Sequence, residues 1–480
     1  MNRSALLVML PALGCATFLP GSRVDASTAP SPAQQWVPSQ PLPAPRAPEP
    51  DPALLAQLKP GLKVTLQQLL SYALSNNPQT RSAWFSARAA AAGAASKRST
   101  YYPEFNLSLQ GTRAQQSFFS GAGLSPLRLD YWSPSGTLTW LLLDLGGRSA
   151  DVSEADLLLE AANLNHGAAV QNLLLLVEQG YFSYQGAKAL FAAAQATVDS
   201  AQTAYRAAEE RRRAGVATVA DVLQAKTQLS QAILAQQQAE GNVAIVRGSL
   251  ATSLGVPATL PVDVADLPER LDVQALGETV DKLIERAQTQ RPDLARARAQ
   301  ALAAESHANS IRSRGFPKLS LNGNVQRLYY LYSPFTDCCG QYADIYAISL
   351  VVNFPLFNGF RDTSDLLQAK EQAKAAQADA ENLEQQVILQ VWTSYQGVKT
   401  AEKQVGSAQD LLAAAQQSAQ VAEGRYKAGV GSILDLLTAQ SALANARAQD
   451  VQARAAWLLS IASLAHDTGT LGIPSAEAHP

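Results

Sequence analysis

Two hydrophobic periods divide this chain. Over 148–213 and again over 361–427, apolar and small residues recur at helical spacing with no internal proline. Each tract predicts one uninterrupted helix of about 100 Å at ~1.5 Å rise per residue. Between the helical tracts the period drops to two. Phe105, Leu107 and Leu109 alternate with Asn106, Ser108 and Gln110, and Leu138, Trp140 and Leu142 with Thr137 and Thr139. Leu319 and Leu321 alternate with Ser320 and Asn322, and Tyr346, Ile348, Leu350, Val352 and Phe354 with Ala347, Ser349 and Asn353. This pattern predicts four strands, at about 103–119, 131–144, 317–333 and 343–357, paired through polar Gly- and Pro-containing loops around 120–133 and 333–344.

The pattern is duplicated. Pro78 and Pro292, Pro103 and Pro317, Tyr181 and Tyr395, Gly215 and Gly429, Asp221 and Asp435, and Gly255 and Gly469 are each 214 residues apart. A long period held over two halves predicts one architectural unit built twice, at 64–270 and 271–469, with a tail at 470–480. Within each half the order reads helix, strand, strand, helix, helix. Short helices at 78–98 and 292–314 begin with proline, which suits a first turn whose amide has no intrahelical partner. Return helices run to 254 and 468, so a short helix and a return helix placed end to end would line one long helix.

The long helices end at matching reversals, 214–218 and 428–432. Gly215 and Gly429 supply the left-handed stop. Thr218 with Asp221, and Ser432 with Asp435, then have the spacing of a capping box that opens the next helix. Each copy is therefore the tip of a helical hairpin.

Apolar positions facing out and small polar ones facing in are what the wall of a membrane barrel requires. Tyr131, Trp132, Tyr329, Tyr330, Tyr332 and Tyr346 stand near the loop ends, where an interfacial girdle belongs. Four strands cannot close a barrel, and open edges are not tolerated in lipid, so several chains must share one. The expected class is an α+β membrane protein whose strands, rather than its helices, cross the bilayer.

Composition narrows the function further. With 16% charged residues, 7% aromatic residues and a formal charge of -2, no basic face suggests nucleic acid. His166, His307, His466 and His479 lack ligand spacing and read as solvated surface residues. No triad, phosphate loop or zinc motif appears, so no enzyme activity, metal or cofactor is expected. The start, 1–14, reads as an export signal; Ala12-Leu13-Gly14-Cys15 resembles a lipoprotein box, with a cut after Ala26 as the alternative. A Pro/Ala/Ser-rich stretch at 15–63 reads as a tether. Cys338 and Cys339 are adjacent and could pair with each other, leaving Cys15 as the odd cysteine.

Asn76-Asn77-Pro78, Asp144-Leu145-Gly146-Gly147-Arg148 with its echo Phe357-Asn358-Gly359-Phe360-Arg361, and the glycine tips together resemble the TolC-type outer membrane efflux family over Thr65 to Thr468. The resemblance implies a homotrimer with a shared twelve-stranded outer membrane barrel continuing into a periplasmic α-helical barrel. It implies a passive exit duct of a tripartite pump for drugs and toxic compounds. Its partners would be a periplasmic adaptor and an inner membrane transporter of the resistance-nodulation-division class, with lipidation at Cys15 anchoring it in a Gram-negative outer membrane. By the same resemblance Asp435 forms a pore constriction, although the family's second acidic position is Thr438 here. Asp221 and Tyr426 become gate contacts, with the family's second tie replaced by Gly431. Gly215, Val216, Thr218, Gly429, Val430 and Ser432 become the adaptor-docking tips. The alternatives are the outlet of a type I secretion system and a non-conducting periplasmic coiled-coil scaffold.

Overall fold

The computed structural model describes residues 63–120, 123–268, 271, 277–332 and 341–471. The signal peptide, Cys15, Ala26, nearly all of the tether, Cys338, Cys339, His479 and the end of the tail lie outside the described residues. The first repeat comprises α1 (Leu66–Asn76), α2 (Pro78–Arg98), a 3-10 turn (Ser99–Tyr101), β1 (Glu104–Ser120), β2 (Gly123–Leu143), α3 (Gly147–Arg213) and α4 (Val219–Ser253). The second comprises α5 (Val280–Gln290), α6 (Pro292–Ser313), β3 (Lys318–Tyr332), β4 (Tyr342–Asn353), α7 (Arg361–Lys427) and α8 (Ile433–Asp467). Both long helices have 67 residues and both return helices 35.

α1 and α5 add one helix to each half beyond the sequence pattern. α1 opens on a capping box: the Thr65 hydroxyl accepts from the Gln68 amide, and the Gln68 side chain accepts from the Thr65 amide.

The sheet is antiparallel in the order β1-β2-β3-β4. β2 starts at Gly123, not near 131, so the first strand pair extends through what the sequence suggests is loop. Pro126 lies opposite Ser117, beyond the last β2–β3 pair at Asp130 and Tyr332, where β2 pairs with β1 alone. Pro134 falls where the β2–β3 ladder steps from Trp132–Tyr329 to Ser135–Gln326. β4 stops at Asn353 rather than near 357, two residues ahead of Pro355, which cannot donate to a ladder.

Register turns the alternation into two faces. One carries the cross-strand rows Phe105–Leu138–Gly323–Ile348 and Leu107–Gly136–Val325–Tyr346. It is open to its surroundings, with Leu107 88% and Ile348 84% exposed. The other carries Asn106–Thr137–Asn324 and Ser108–Ser135–Gln326, with the Ser108 and Ser135 hydroxyls 2.8 Å apart.

Among the helices, α3 packs against α1, α2 and α4 of its own repeat and against α6 and α8 of the other; α7 packs against α5, α6 and α8. The end-to-end arrangement is built from two crowded glycines. At Gly255 (φ +80°) an added Cβ would lie 3.3 Å from the Asn76 carbonyl oxygen and from Asn77 Cα, and Asn77 donates to the Ser253 carbonyl at 2.9 Å. At Gly469 (φ +75°) it would lie 3.0 Å from the Gln290 carbonyl carbon, while Arg291 donates to the Asp467 carbonyl. α4 therefore abuts the start of α2, and α8 the start of α6. The largest core joins Leu173, Leu174 and Val177 of α3 to Leu69 and Ala73 of α1 and Leu250 of α4. Each fully buried leucine there contributes about 1.5–3 kcal/mol.

Candidate functional site

The two tips are reached by the same backbone route. Gly215 and Gly429 have φ of +79° and +78°. Gly215 donates to the Arg212 carbonyl and Val216 to that of Arg211, both at 2.9 Å; Gly429 donates to Tyr426 at 3.1 Å and Val430 to Arg425 at 3.0 Å. This paired closure uses up carbonyls the helix end would otherwise orphan. The Thr218 hydroxyl accepts from the Asp221 amide, and the Asp221 carboxylate accepts from the Thr218 amide at 2.7 Å and its hydroxyl at 2.9 Å. Ser432 and Asp435 repeat the box.

Below the tips one apolar cluster joins both hairpins: Ala204 and Ala208 of α3, Val222 and Ala225 of α4, Tyr426 of α7, and Ile433, Leu436 and Leu437 of α8. Tyr426 is only 6% exposed, and its hydroxyl has no hydrogen-bond partner. Arg211 lies over its ring at 4.6 Å and donates to its backbone carbonyl. Burial pushes the Tyr426 phenol up, with Arg211 working against the shift and Asp221 adding to it. No hydrogen bond joins Asp221 to Tyr426 within the chain: one Asp221 carboxylate oxygen accepts in the cap, and the Tyr426 hydroxyl has no partner.

Asp435 is exposed and lines a groove with Val421, Arg425, Leu434 and Thr438. Gly431 sits tight against the preceding helix: an added Cβ would meet Arg425 Cβ at 3.0 Å and the Tyr426 amide nitrogen at 3.1 Å. An arginine at this position would have to displace that turn. Val216 and Val430 stand out at 66% and 70% exposure. The residue that sequence reasoning missed is Arg211. In an arginine run at a helix C-terminus it already has a local explanation in the helix dipole.

The sheet has its own ordered ends. Trp132 stacks on Tyr329 at 4.3 Å, Tyr329 pairs in register with Tyr342, and Tyr131 meets Tyr330 edge-on at 5.9 Å. Tyr346 lies further in, opposite Val325, among the apolar rows. Next to the aromatic row come ion pairs, Arg327 with Asp344 at 2.8 Å and Arg128 with Asp130 at 2.5 Å. At the other end, Asp144 accepts from the Arg148 amide at 2.5 Å, and Arg148 donates to the Leu142 carbonyl at 3.0 Å. Gly147 fits tightly there: an added Cβ would press on the Ser313 hydroxyl and lie 2.8 Å from the Asp144 carboxylate, so those side chains would have to shift.

Two histidines depart from the expected solvated surface. His307 faces Glu154 at 3.0 Å, and His466 bridges Asp467 at 3.0 Å and Asn172 at 2.8 Å. The cause is position: His466 sits in the last turn of α8, against α3. Among the described residues no helix is long and apolar enough to cross a membrane, and no cluster of metal-ligating side chains occurs.

An exposed apolar sheet face bounded by aromatics, joined to hairpins of long helices with glycine-closed tips, defines an outer membrane channel protein rather than an enzyme. A family profile described as outer membrane efflux protein matches residues 69–256 and 283–470, one match per repeat, and the chain belongs to that family. It is 28% identical over 421 residues to the protein CyaE of Bordetella pertussis, covering 87% of this chain and 86% of that protein. It is also 28% identical over 388 residues to the probable efflux pump outer membrane protein TtgC of Pseudomonas putida, covering 80% and 78%. In fold it is similar to the outer-membrane channel OprN, with a TM-score of 0.76 at 21% identity over 85% of this chain and 90% of that one. The Campylobacter jejuni CmeC outer membrane channel gives 0.73 at 19% identity, covering 84% and 85%.

Proposed function

We propose that three copies of this chain close one barrel in the outer membrane and form the passive exit duct of a tripartite pump for small toxic compounds. The observation that carries the reading is the sheet. On its outward face the rows Phe105–Leu138–Gly323–Ile348 and Leu107–Gly136–Val325–Tyr346 carry no polar side chain across all four strands except the tyrosine hydroxyl, and β1 and β4 each keep one edge unpaired within the chain. Such edges need partners in lipid, and a second copy supplies them.

A periplasmic adaptor docks at the tips, on Gly215, Val216 and Thr218 and on Gly429, Val430 and Ser432. An inner membrane transporter of the resistance-nodulation-division class supplies the energy. Asp435 narrows the mouth, Asp221 and Tyr426 belong to the gate, and a lipid on Cys15 adds an anchor. Adaptor contacts favour the splayed arrangement of the hairpins over the closed one, so the mouth opens by population shift. Purified protein should run as a trimer and give discrete conductance steps in planar bilayers. A monomer without pores would overturn the reading. Deleting the gene should raise drug susceptibility; unchanged susceptibility with loss of an exported protein would favour the secretion outlet.

A further inference from the structure

We infer that the lipid-facing wall of the sheet carries a basic site, built on Arg113 and Arg128, for a phosphorylated glycolipid of the outer leaflet. The inference rests on the reading of the sheet as part of an outer membrane barrel. β1 pairs with β2 in unbroken register from Glu104 to Ser120, so Phe105, Leu107, Leu109 and Arg113 share one face. Opposite them stand Leu138, Gly136, Pro134 and Asp130, and Arg128 follows Asp130 on that face. This is the apolar face, which a barrel turns towards lipid.

Distance along the wall sets these arginines level with the headgroups. On β2 the face runs from Trp140, whose indole donates to the Tyr101 carbonyl at the helical end, up to Asp130. At ~3.4 Å per residue and a tilt of about 35–45°, that stretch rises about 24–28 Å, close to the ~25 Å apolar band of an outer membrane barrel. The aromatic row of Trp132, Tyr329 and Tyr342 comes just before its top, where a girdle marks the interface. β1 and β2 stay paired as far as Ser120 and Gly123, so Arg113 and Arg128 belong to the wall and not to a loop.

Charge is sorted by level. On the bilayer side of the aromatic row Arg327 and Asp344 form a neutral pair at 2.8 Å, with the guanidinium over the Tyr342 ring at 4.8 Å. Beyond the row two arginines share one carboxylate: Arg128 donates to Asp130 at 2.5 Å, and Arg113 stands 3.6 Å from its other oxygen. One positive charge per chain is left over, and the Arg113 side chain is 76% exposed. The lumen face of the same two strands carries no charged side chain from Asn106 to Thr112 or from Tyr131 to Thr139, although water there would accept one at little cost. The excess charge therefore lies on the side where an anionic headgroup, and not the duct, can meet it. Guanidinium forks onto phosphate oxygens in pairs, which favours phosphate as the anion. Directly below, Leu107 and Leu109 are 88% and 71% exposed and take the acyl chains of the same molecule, which a free phosphate lacks.

Native mass spectrometry of the full-length protein in neutral detergent tests this with three probes: bis-phosphorylated lipid A, the same lipid with both phosphates removed, and inorganic phosphate. The bis-phosphorylated lipid should be retained about tenfold better than its dephosphorylated form, and equal retention would overturn the site. Displacement of that lipid by an equal concentration of inorganic phosphate would overturn it too, since the ligand would then be a free anion. Arg113→Gln and Arg128→Gln should each lower retention of the bis-phosphorylated lipid about five- to tenfold, the worth of one partly solvated charge-assisted bond, with conductance steps unchanged. Undiminished retention in both variants would overturn the assignment to these arginines. Conducting trimers that ignore phosphorylation would leave the conduit reading standing; the absence of any trimer would overturn both.

Discussion

At Gly215 and Gly429 the chain turns through the same angles, closes the same carbonyls and opens the next helix with the same hydroxyl and carboxylate. Three residues before the glycine the likeness ends. The first tip has Arg212, exposed; the second has Tyr426, buried beneath the Arg211 of the first hairpin. Duplication has kept what the backbone needs in order to reverse and varied what the reversal touches. The tips thus have one scaffold and two jobs, one tip supplying the clamp and the other the surface it clamps.

The largest expected effect lies at the residue where the tips differ most. Tyr426→Ala should cost about 3–5 kcal/mol, the range for emptying a buried aromatic site, whereas Arg212→Ala should stay within ~0.5 kcal/mol. Thermal unfolding of the detergent-solubilised protein measures both, and equal losses would erase the distinction between the tips. Tyr426→Phe sharpens it further: with no hydrogen bond on the hydroxyl, stability should move by no more than ~0.5 kcal/mol. Arg211→Ala should cost about 1–2 kcal/mol through the lost ring contact and carbonyl bond. The caps should show the tips as equals, Thr218→Ala and Ser432→Ala each costing about 1 kcal/mol, visible as faster amide exchange in the first turns of α4 and α8.

The smallest effect appears at the other end of the return helices, where Asp467 in the second half answers Ser253 in the first. Burial raises the Asp467 carboxyl, but hydrogen bonds from His466 and Ser394, and the charges of His466 and Arg291, outweigh it and hold it below the usual aspartate range. A depressed folded value stabilises above the unfolded value of about 3.9 and is lost as pH falls through the folded one. Acid should therefore loosen the end of α8 before that of α4, and Asp467→Asn should remove this difference in hydrogen exchange measured between about pH 5 and 3.

What was legible in the sequence is what local chemistry dictates. Gly215, Gly429 and the Thr218 and Ser432 boxes act within six residues of themselves, and the alternation through Phe105 to Leu109 needs only its neighbours to define a face. What was not legible depends on distant partners. Arg211 acts on a residue 215 positions away, and nothing near it in the chain marks that use. Pro126 falls in what reads as a loop around 120–133, and only the register shows that β2 runs on through it, paired there with β1 alone. α1 was missed although Thr65 and Gln68 carry its capping signature, since the pattern that follows is only 11 residues long.

The abutment of α4 on α2 at Gly255, and of α8 on α6 at Gly469, makes wall length a shared quantity. Seven residues added to α3 alone would leave about 10 Å of long helix unmatched, so the break between the stacked helices would open and its crowded glycine would lose its contact. Insertions and deletions are consequently coupled: a change in the long helix survives only with an equal change in one of the helices lining it, and, for the ring to stay level, in the other repeat as well. The span this duct bridges is set by two glycines that behave as length gauges.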